Sequence, residues 1–322
     1  GYDIEFHATG GLQAIHTAEQ ADFTRDRVLR LRSEGYHAEF LTARETRAME
    51  PEASESLAGF MFLPRRGRAN PTKATEAFGK VAAALGAYIK TGHDVQALTQ
   101  QQDGSWQVRS RQGEFRADTL ALAVGAWSGP VGDMLGIDIP VTPIEGQMWA
   151  TEPVPPSIFH LIGSMESPFD WSSEAENENY PPEITHHGDT RVTRHLYGGQ
   201  TRNGEIIFGG DRQMMGYDYT PDLGGIEVNR GQASEVIPLV SRLPISRTWA
   251  GIMPFSNDGK PIIGKVPGFE NLFIATGLAS SGFGRGPMTG KLIAEYIHTG
   301  HPAPVLAESD PARCITFKKT AR

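Results

Sequence analysis

The chain has 322 residues, 39% of them hydrophobic and 21% charged, an ordinary globular composition that excludes a fibrous or disordered protein and suggests about two domains. Its net charge of −8, with no long basic run, argues against a nucleic-acid or anionic-membrane partner. No apolar run approaches the ~20 residues that span a bilayer, and the single cysteine, Cys314, excludes an internal disulfide and a cysteine-rich metal site. A reducing compartment, cytoplasmic or mitochondrial matrix, is therefore expected.

The chain begins at Gly1 and runs directly into strand-like sequence, as if it started in the middle of a larger unit. Residues 2–15, with Gly10-Gly11, predict two short strands and a turn. Thr17-Ala-Glu-Gln20 and Thr42-Ala-Arg-Glu45 are capping boxes, the first opening a helix that stops near Gly35, the second a short one closed by Pro51. Residues 57–63 are strand-like. From Pro71, the residues Ala74, Ala77, Phe78, Val81, Ala82 and Leu85 recur at helical spacing and end at Gly86. A strand at 87–90, a hairpin around Asp103-Gly104 and the apolar run Thr119–Val124 closed by Gly125 follow; that run predicts a buried sheet. Residues 150–190 are rich in Pro, Ser, Glu and Asn, and Ser172–Tyr180 reads as an acidic, solvated insertion. A strand at 205–209, a helix near 226–240, and sheet-like sequence at 247–264 and 271–298 complete the chain, with no internal repeat.

The segment from Glu270 to Ile297 carries the most chemical information. Leu272–Thr276 predicts a strand, Gly277–Gly286 a glycine- and serine-rich loop, and Pro287 the first position of a helix with Met288, Leu292, Ile293, Tyr296 and Ile297 on its apolar face. Strand, glycine loop and helix aim free N–H groups and a positive helix end at whatever lies in front, and glycines admit a flat or anionic ligand close to the backbone. The same stretch also reads as a tight turn between core elements. Gly282-Phe-Gly284-Arg-Gly286 lacks the Gly-x-Gly-x-x-Gly spacing, which occurs nowhere in the chain.

Four blocks, in order, give a sharper pattern: a Pro-led helix at Pro71, Ala123-Val-Gly-Ala-Trp-Ser128, Trp249-Ala-Gly-Ile-Met-Pro254 with Asp258-Gly-Lys-Pro-Ile-Ile-Gly264, and Gly277–Gly290. Their succession resembles the D-amino-acid-oxidase-like flavoproteins, which include glycine and sarcosine oxidases and D-amino-acid dehydrogenases, over residues 3–300. The resemblance implies FAD, held mainly by an N-terminal βαβ unit absent from this sequence, or by a separate chain that supplies it. It implies an α/β (α+β) fold: an incomplete Rossmann-like FAD-binding domain (68–140 and 250–300), a substrate domain with a mixed, largely antiparallel sheet (1–67 and 141–249), and a tail at 301–322. It places Val95 at the adenine side, Ala123, Gly125 and Trp127 at a strand end facing the cofactor, and Gly251 with Gly277, Leu278, Ala279, Ser280, Ser281, Gly282, Phe283 and Gly284 beside the flavin ring and ribityl chain. Family members that tether FAD use a cysteine near the Trp-x-Gly block; this chain has none there, so noncovalent FAD is implied.

The implied reaction is hydride transfer from an amine-bearing carbon to flavin N5, followed by transfer of electrons to oxygen or another acceptor. His195 and Tyr197 fall where the family places polar groups over the flavin, although they also fit a strand with outward side chains. In many amino-acid-processing members an arginine precedes the proline of the Trp-x-Gly-x-x-Pro block. Here Met253 stands at that position, and Arg285, then Arg202 or Arg212, are the candidates to replace it. A hydroxy-acid oxidoreductase and a non-catalytic, partner-dependent flavoprotein fragment are the alternatives. His186, His187, Asp189 and His195 match no metal-site spacing, and no metal is expected.

Overall fold

The computed structural model describes residues 1–174, 183–188 and 190–318. The first part of the chain forms β1 (Gly11–Ile15), α1 (Ala18–Ser33), β2 (Glu39–Leu41), α2 (Ala43–Arg47), β3 (Gly59–Leu63) and α3 (Pro71–Ala84). Then come β4 (Val95–Gln100), β5 (Trp106–Ser110), β6 (Gly113–Ala117), β7 (Leu120–Leu122), α4 (Ser128–Leu135), β8 (Ile137–Asp138), β9 (Val141–Thr151), β10 (Leu161–Ser164) and α5 (Glu166–Glu174). The remainder is β11 (His186–His187), β12 (Thr190–Arg191), β13 (Tyr197–Gln200), β14 (Ile206–Gln213), α6 (Leu223–Val236), β15 (Ile245–Ser256), β16 (Ile262–Lys265), β17 (Leu272–Thr276), α7 (Gly282–Thr299) and β18 (Thr316–Phe317).

Contacts divide the described residues into two compact units. Unit 1 holds Gly1–Val81 and the described residues from Glu145 to Gly251; unit 2 holds Ala82–Ile144 and the residues from Ile252 onward.

Unit 1 is built on the sheet β15-β9-β14-β13-β10-β1-β3-β2. β1 and β10 pair in parallel; β1–β3, β3–β2, β10–β13, β13–β14 and β14–β9 are antiparallel, as expected of a mixed, largely antiparallel sheet. Alternation along β1 splits its side chains between two cores. Leu12 and Ala14 join Phe60, Trp149, Ile162 and Phe208 beneath Ile226, Ala233 and Val236 of α6. Ile15 joins Met61, Met165 and the α1 residues Ala21 and Val28. The helix α6 is started by Asp222, whose carboxylate accepts from Gly224 and Gly225 N–H, and is tied to β9 by Trp149 Nε1 donating to Asn229 Oδ1 at 2.9 Å.

Unit 2 contains the sheet β16-β17-β7, the meander β4-β5-β6 and the pair β18-β8. Trp106, Leu122, Val131, Ile137, Leu272 and Ile274 share one core there. The segment past residue 300 packs into it as well, with Leu306 and Ile315 buried.

Several local expectations change. Residues 2–15 give one strand plus a bridge between His7 and Arg68, and 87–90 form no strand. The box at Thr42–Glu45 forms completely, whereas at Thr17 the Gln20 side chain turns to His16 N–H instead. α3 covers the predicted span, yet of its apolar face only Ala74 is buried; Phe78 is 61%, Val81 44% and Leu85 84% exposed. α7 begins at Gly282, five residues before Pro287, because a proline in the second turn costs a single bond to the Phe283 carbonyl while the preceding residues adopt helical angles unhindered. The predicted insertion at Ser172–Tyr180 begins inside α5, and its residues from 175 on lie outside the described residues.

Candidate active site

In unit 2, β7 and β17 run parallel with Leu272 opposite Leu120 and Ile274 opposite Leu122, so both chains turn at the same end. Each turn uses a glycine in the left-handed region, Gly125 at φ 53° and Gly277 at φ 71°. The turns are laced together by buried hydroxyls: Ser128 Oγ and Thr276 Oγ1 lie 2.8 Å apart, and both reach the Gly125 carbonyl, at 2.6 and 3.1 Å. The carboxyl ends of adjacent parallel strands are where open α/β sheets bind ligands.

Beyond Gly277, Ala279 is held at φ 50°, a strained conformation for a residue with a Cβ, and then α7 starts at Gly282. A 3-10 turn, Ala279–Ser281, leads directly into α7, and Ser281 makes no side-chain cap hydrogen bond at that start. The surface here is open: a Cβ built on Gly125, Gly284, Gly286 or Gly290 meets nothing within 4 Å. Trp127 and Phe283 flank it, each about half exposed. A positive helix end and a glycine-smoothed surface fit a flat, anionic cofactor such as FAD.

The structure therefore gathers Ala123, Gly125 and Trp127 with the stretch Gly277–Gly284, including Leu278, Ser280 and Ser281, at two neighbouring strand ends. Val95 stands apart at the start of β4, on the separate meander. Arg285 is exposed on α7, one residue past these glycines, and Gly251 is exposed at the close of the unit 1 part of β15.

His195 and Tyr197 belong to unit 1. The His195 ring is held from both sides, with Nδ1 2.6 Å from Ser167 Oγ and Nε2 3.1 Å from Arg212 Nη2. Since a guanidinium only donates, Nε2 accepts and Nδ1 carries the proton. Burial, then the charges of Arg212 and Arg66, hold this imidazole well below its ordinary value, so it is neutral. Arg212 in turn stacks over Trp171, 4.9 Å from its centroid, and pairs with Glu183 at 2.9 Å.

Tyr197 projects from β13, opposite Gly163 of β10 and Gly209 of β14. Burial raises its phenol above the usual value, while Arg66 and Arg68 pull it down. Those two arginines were missed by sequence reasoning; they flank Gly67 in the loop after β3. The loop is fastened to the chain before β1 by Gly10 N–H donating to the Arg66 carbonyl and by paired bonds between His7 and Arg68. The one available signal was the closely spaced Arg65-Arg66-Gly67-Arg68.

Among the described residues no group of three or more His, Cys, Asp or Glu side chains could hold a metal ion; Asp189 lies outside the described residues. No helix among them is long and apolar enough to cross a membrane.

The sequence is 27% identical over 300 residues to glycine oxidase of Bacillus subtilis, covering 92% of this chain and 71% of that one. It is 30% identical over 195 residues to glycine oxidase of Pseudomonas aeruginosa, which is 61% of this chain but only 46% of that relative, so the match spans about half of its length. The fold is similar to the crystal structure of glycine oxidase from Geobacillus kaustophilus, with a TM-score of 0.83 and 24% identity over 97% of this chain and 77% of that one. It is also similar to L-proline dehydrogenase from P. horikoshii, with a TM-score of 0.81 and 25% identity over 96% and 77%. The profile of the FAD dependent oxidoreductase family, DAO, matches residues 1–296, and the chain belongs to that family.

Proposed function

We propose that the protein oxidises the C–N bond of an amine or amino acid with noncovalently bound FAD. The observation that carries the proposal is the uncapped, glycine-lined start of α7 beside the Gly125 turn, on which Ala123, Trp127 and Leu278–Gly284 would hold the flavin. Bound FAD would accept hydride at N5 from the amine-bearing carbon, leaving an imine for water to hydrolyse. The chain's own part is to favour negative charge on the cofactor through the first-turn N–H groups of α7, and to position the substrate. Tyr197 is assigned to substrate contact. His195 is assigned a positioning role, because both of its ring nitrogens are engaged by Ser167 and Arg212 and neither is free to take a proton.

The exposed apolar side chains of α3 support a further segment packing on that helix. We assign that role to the family's glycine-rich βαβ unit, supplied by the remainder of a longer chain or by a partner. A cytoplasmic or mitochondrial-matrix location and electron transfer to oxygen or another small acceptor belong to the same proposal.

The test is the colour of the full-length protein and its response to substrate. It should purify with bound flavin that bleaches without oxygen when a secondary amino acid is added and stays coloured with the matching hydroxy acid. Bleaching by the hydroxy acid alone would favour the alternative that Met253 permits. A protein that takes up no flavin would overturn the proposal.

A further inference from the structure

The arginine that many amino-acid-processing relatives place before the proline of the Trp-x-Gly block is Met253 here, so a substrate carboxylate needs another partner. The arginines first considered are engaged or elsewhere. Arg202 pairs with Asp3, Arg212 with Glu183, and Arg285 is exposed on α7 in the other unit. Arg66 and Arg68 are in a different condition. Among the described residues neither guanidinium has an ion pair or a side-chain hydrogen bond.

We propose that Arg66 and Arg68, together with the Tyr197 hydroxyl, bind the carboxylate of the substrate. This rests on the flavoenzyme proposed above and names the unit 1 residues that select its substrate.

The placement is specific. Arg66 lies over Gly11 of β1, its Cδ 2.8 Å from where a Cβ would stand, and Arg68 lies over Gly199 of β13, its Nη1 2.9 Å from such a Cβ. Gly11 is opposite Leu161 of β10, and Leu161 Cα is 3.9 Å from a Cβ built on Gly199, so both arginines cross the same row of the sheet. Tyr197 is two residues from Gly199 and shares its face. Side chains at Gly11 or Gly199 would displace the guanidiniums, and one at Gly67 would strike the His7 carbonyl at 2.8 Å, so three glycines hold this arrangement. The carboxylate whose charge acts on Arg68 is that of Glu50. Its oxygens already accept from Phe159 N–H, His160 N–H and His160 Nδ1, which leaves it no role as a close partner. Two forks of N–H donors without an anion, beside a phenol, match a carboxylate in geometry and charge.

The experiment is calorimetric binding of methoxyacetate, with methoxyacetamide as its uncharged counterpart, to the full-length protein. Methoxyacetate should bind and methoxyacetamide should not. Arg66→Gln and Arg68→Gln should each weaken methoxyacetate by about ten-fold or more, the expected worth of a charge-assisted bond. Arg68→Lys should recover part of the loss, and Arg65→Gln, at a neighbour that like Arg66 is exposed but lies over neither sheet glycine, should change affinity less than about two-fold. Equal binding of acid and amide, or equal weakening by Arg65→Gln, would overturn the clamp. Thermal unfolding of each variant identifies any that is misfolded, and the Lys variant then decides. Flavin absorbance on the same samples is a separate readout: colourless protein would sink the flavoenzyme, while calorimetry still decides the carboxylate site.

Discussion

Gly284 lies on the surface proposed for the cofactor and gives a test of that surface at a single position. It sits in the first turn of α7, where a Cβ would meet nothing within 4 Å, and alanine favours a helix over glycine by about 1 kcal/mol. Gly284→Ala should therefore raise the melting temperature of flavin-free protein while weakening FAD affinity about ten-fold or more; unchanged affinity would remove this surface from the cofactor site. Glu145 offers a second test. It is buried, its Oε1 has no hydrogen-bond partner, and burial with Asp218, Asp211 and Asp222 pushes its carboxyl up to about 7. The folded state then keeps a proton that the unfolded state releases above its usual 4.5, so stability falls as pH rises from about 4.5 to 7. Glu145→Gln should match the parent near pH 5 and exceed it by about 2 kcal/mol near pH 8, read by denaturant unfolding. Parallel pH profiles would contradict this. At this scale the sequence showed which glycines lie at the two turns, since they belong to recognisable blocks. It could not show Arg66 and Arg68, because lacking a partner is a property of three-dimensional surroundings. Nor could it show the hold on His195, whose partners are 28 and 17 residues away.

Elements were legible where periodicity and capping agreed, as in α3 and α2, and less so where glycine and proline dominate. The start of α7 was displaced because Pro287 is a good first helical residue by local rules, yet five residues, three of them glycine, are helical ahead of it. One buried carboxylate links distant elements in a way no local pattern reports. Glu50, just past α2, is fully buried and accepts from two backbone N–H groups before β10 and from His160 Nδ1 at 2.9 Å. Glu50→Ala would leave all three donors buried and unanswered, at a cost of about 3 kcal/mol, whereas Glu50→Gln should recover part of it. Equal stability of Glu50→Ala and parent in urea unfolding would show that the links are dispensable.

For the whole molecule, four blocks in order were enough to indicate the family. The family profile over residues 1–296 and the solved structures bear out the family and fold. The apolar residues of α3 were legible as a face, but its exposure was not, since the sequence alone cannot say what covers it. Leu85 is 84% exposed, so in this chain Leu85→Glu should change stability by less than about 0.5 kcal/mol. In the full-length protein, where the proposed βαβ unit would cover it, the same change should cost about 2 kcal/mol or more and lower the flavin content. Equal small effects in both would place that unit elsewhere. The most direct measurement is a crystal structure of the full-length protein with FAD. The isoalloxazine should lie against the Gly282–Gly284 backbone at the start of α7, beside Gly125 and Trp127; a flavin seated elsewhere, or these amides closed off by protein, would contradict it.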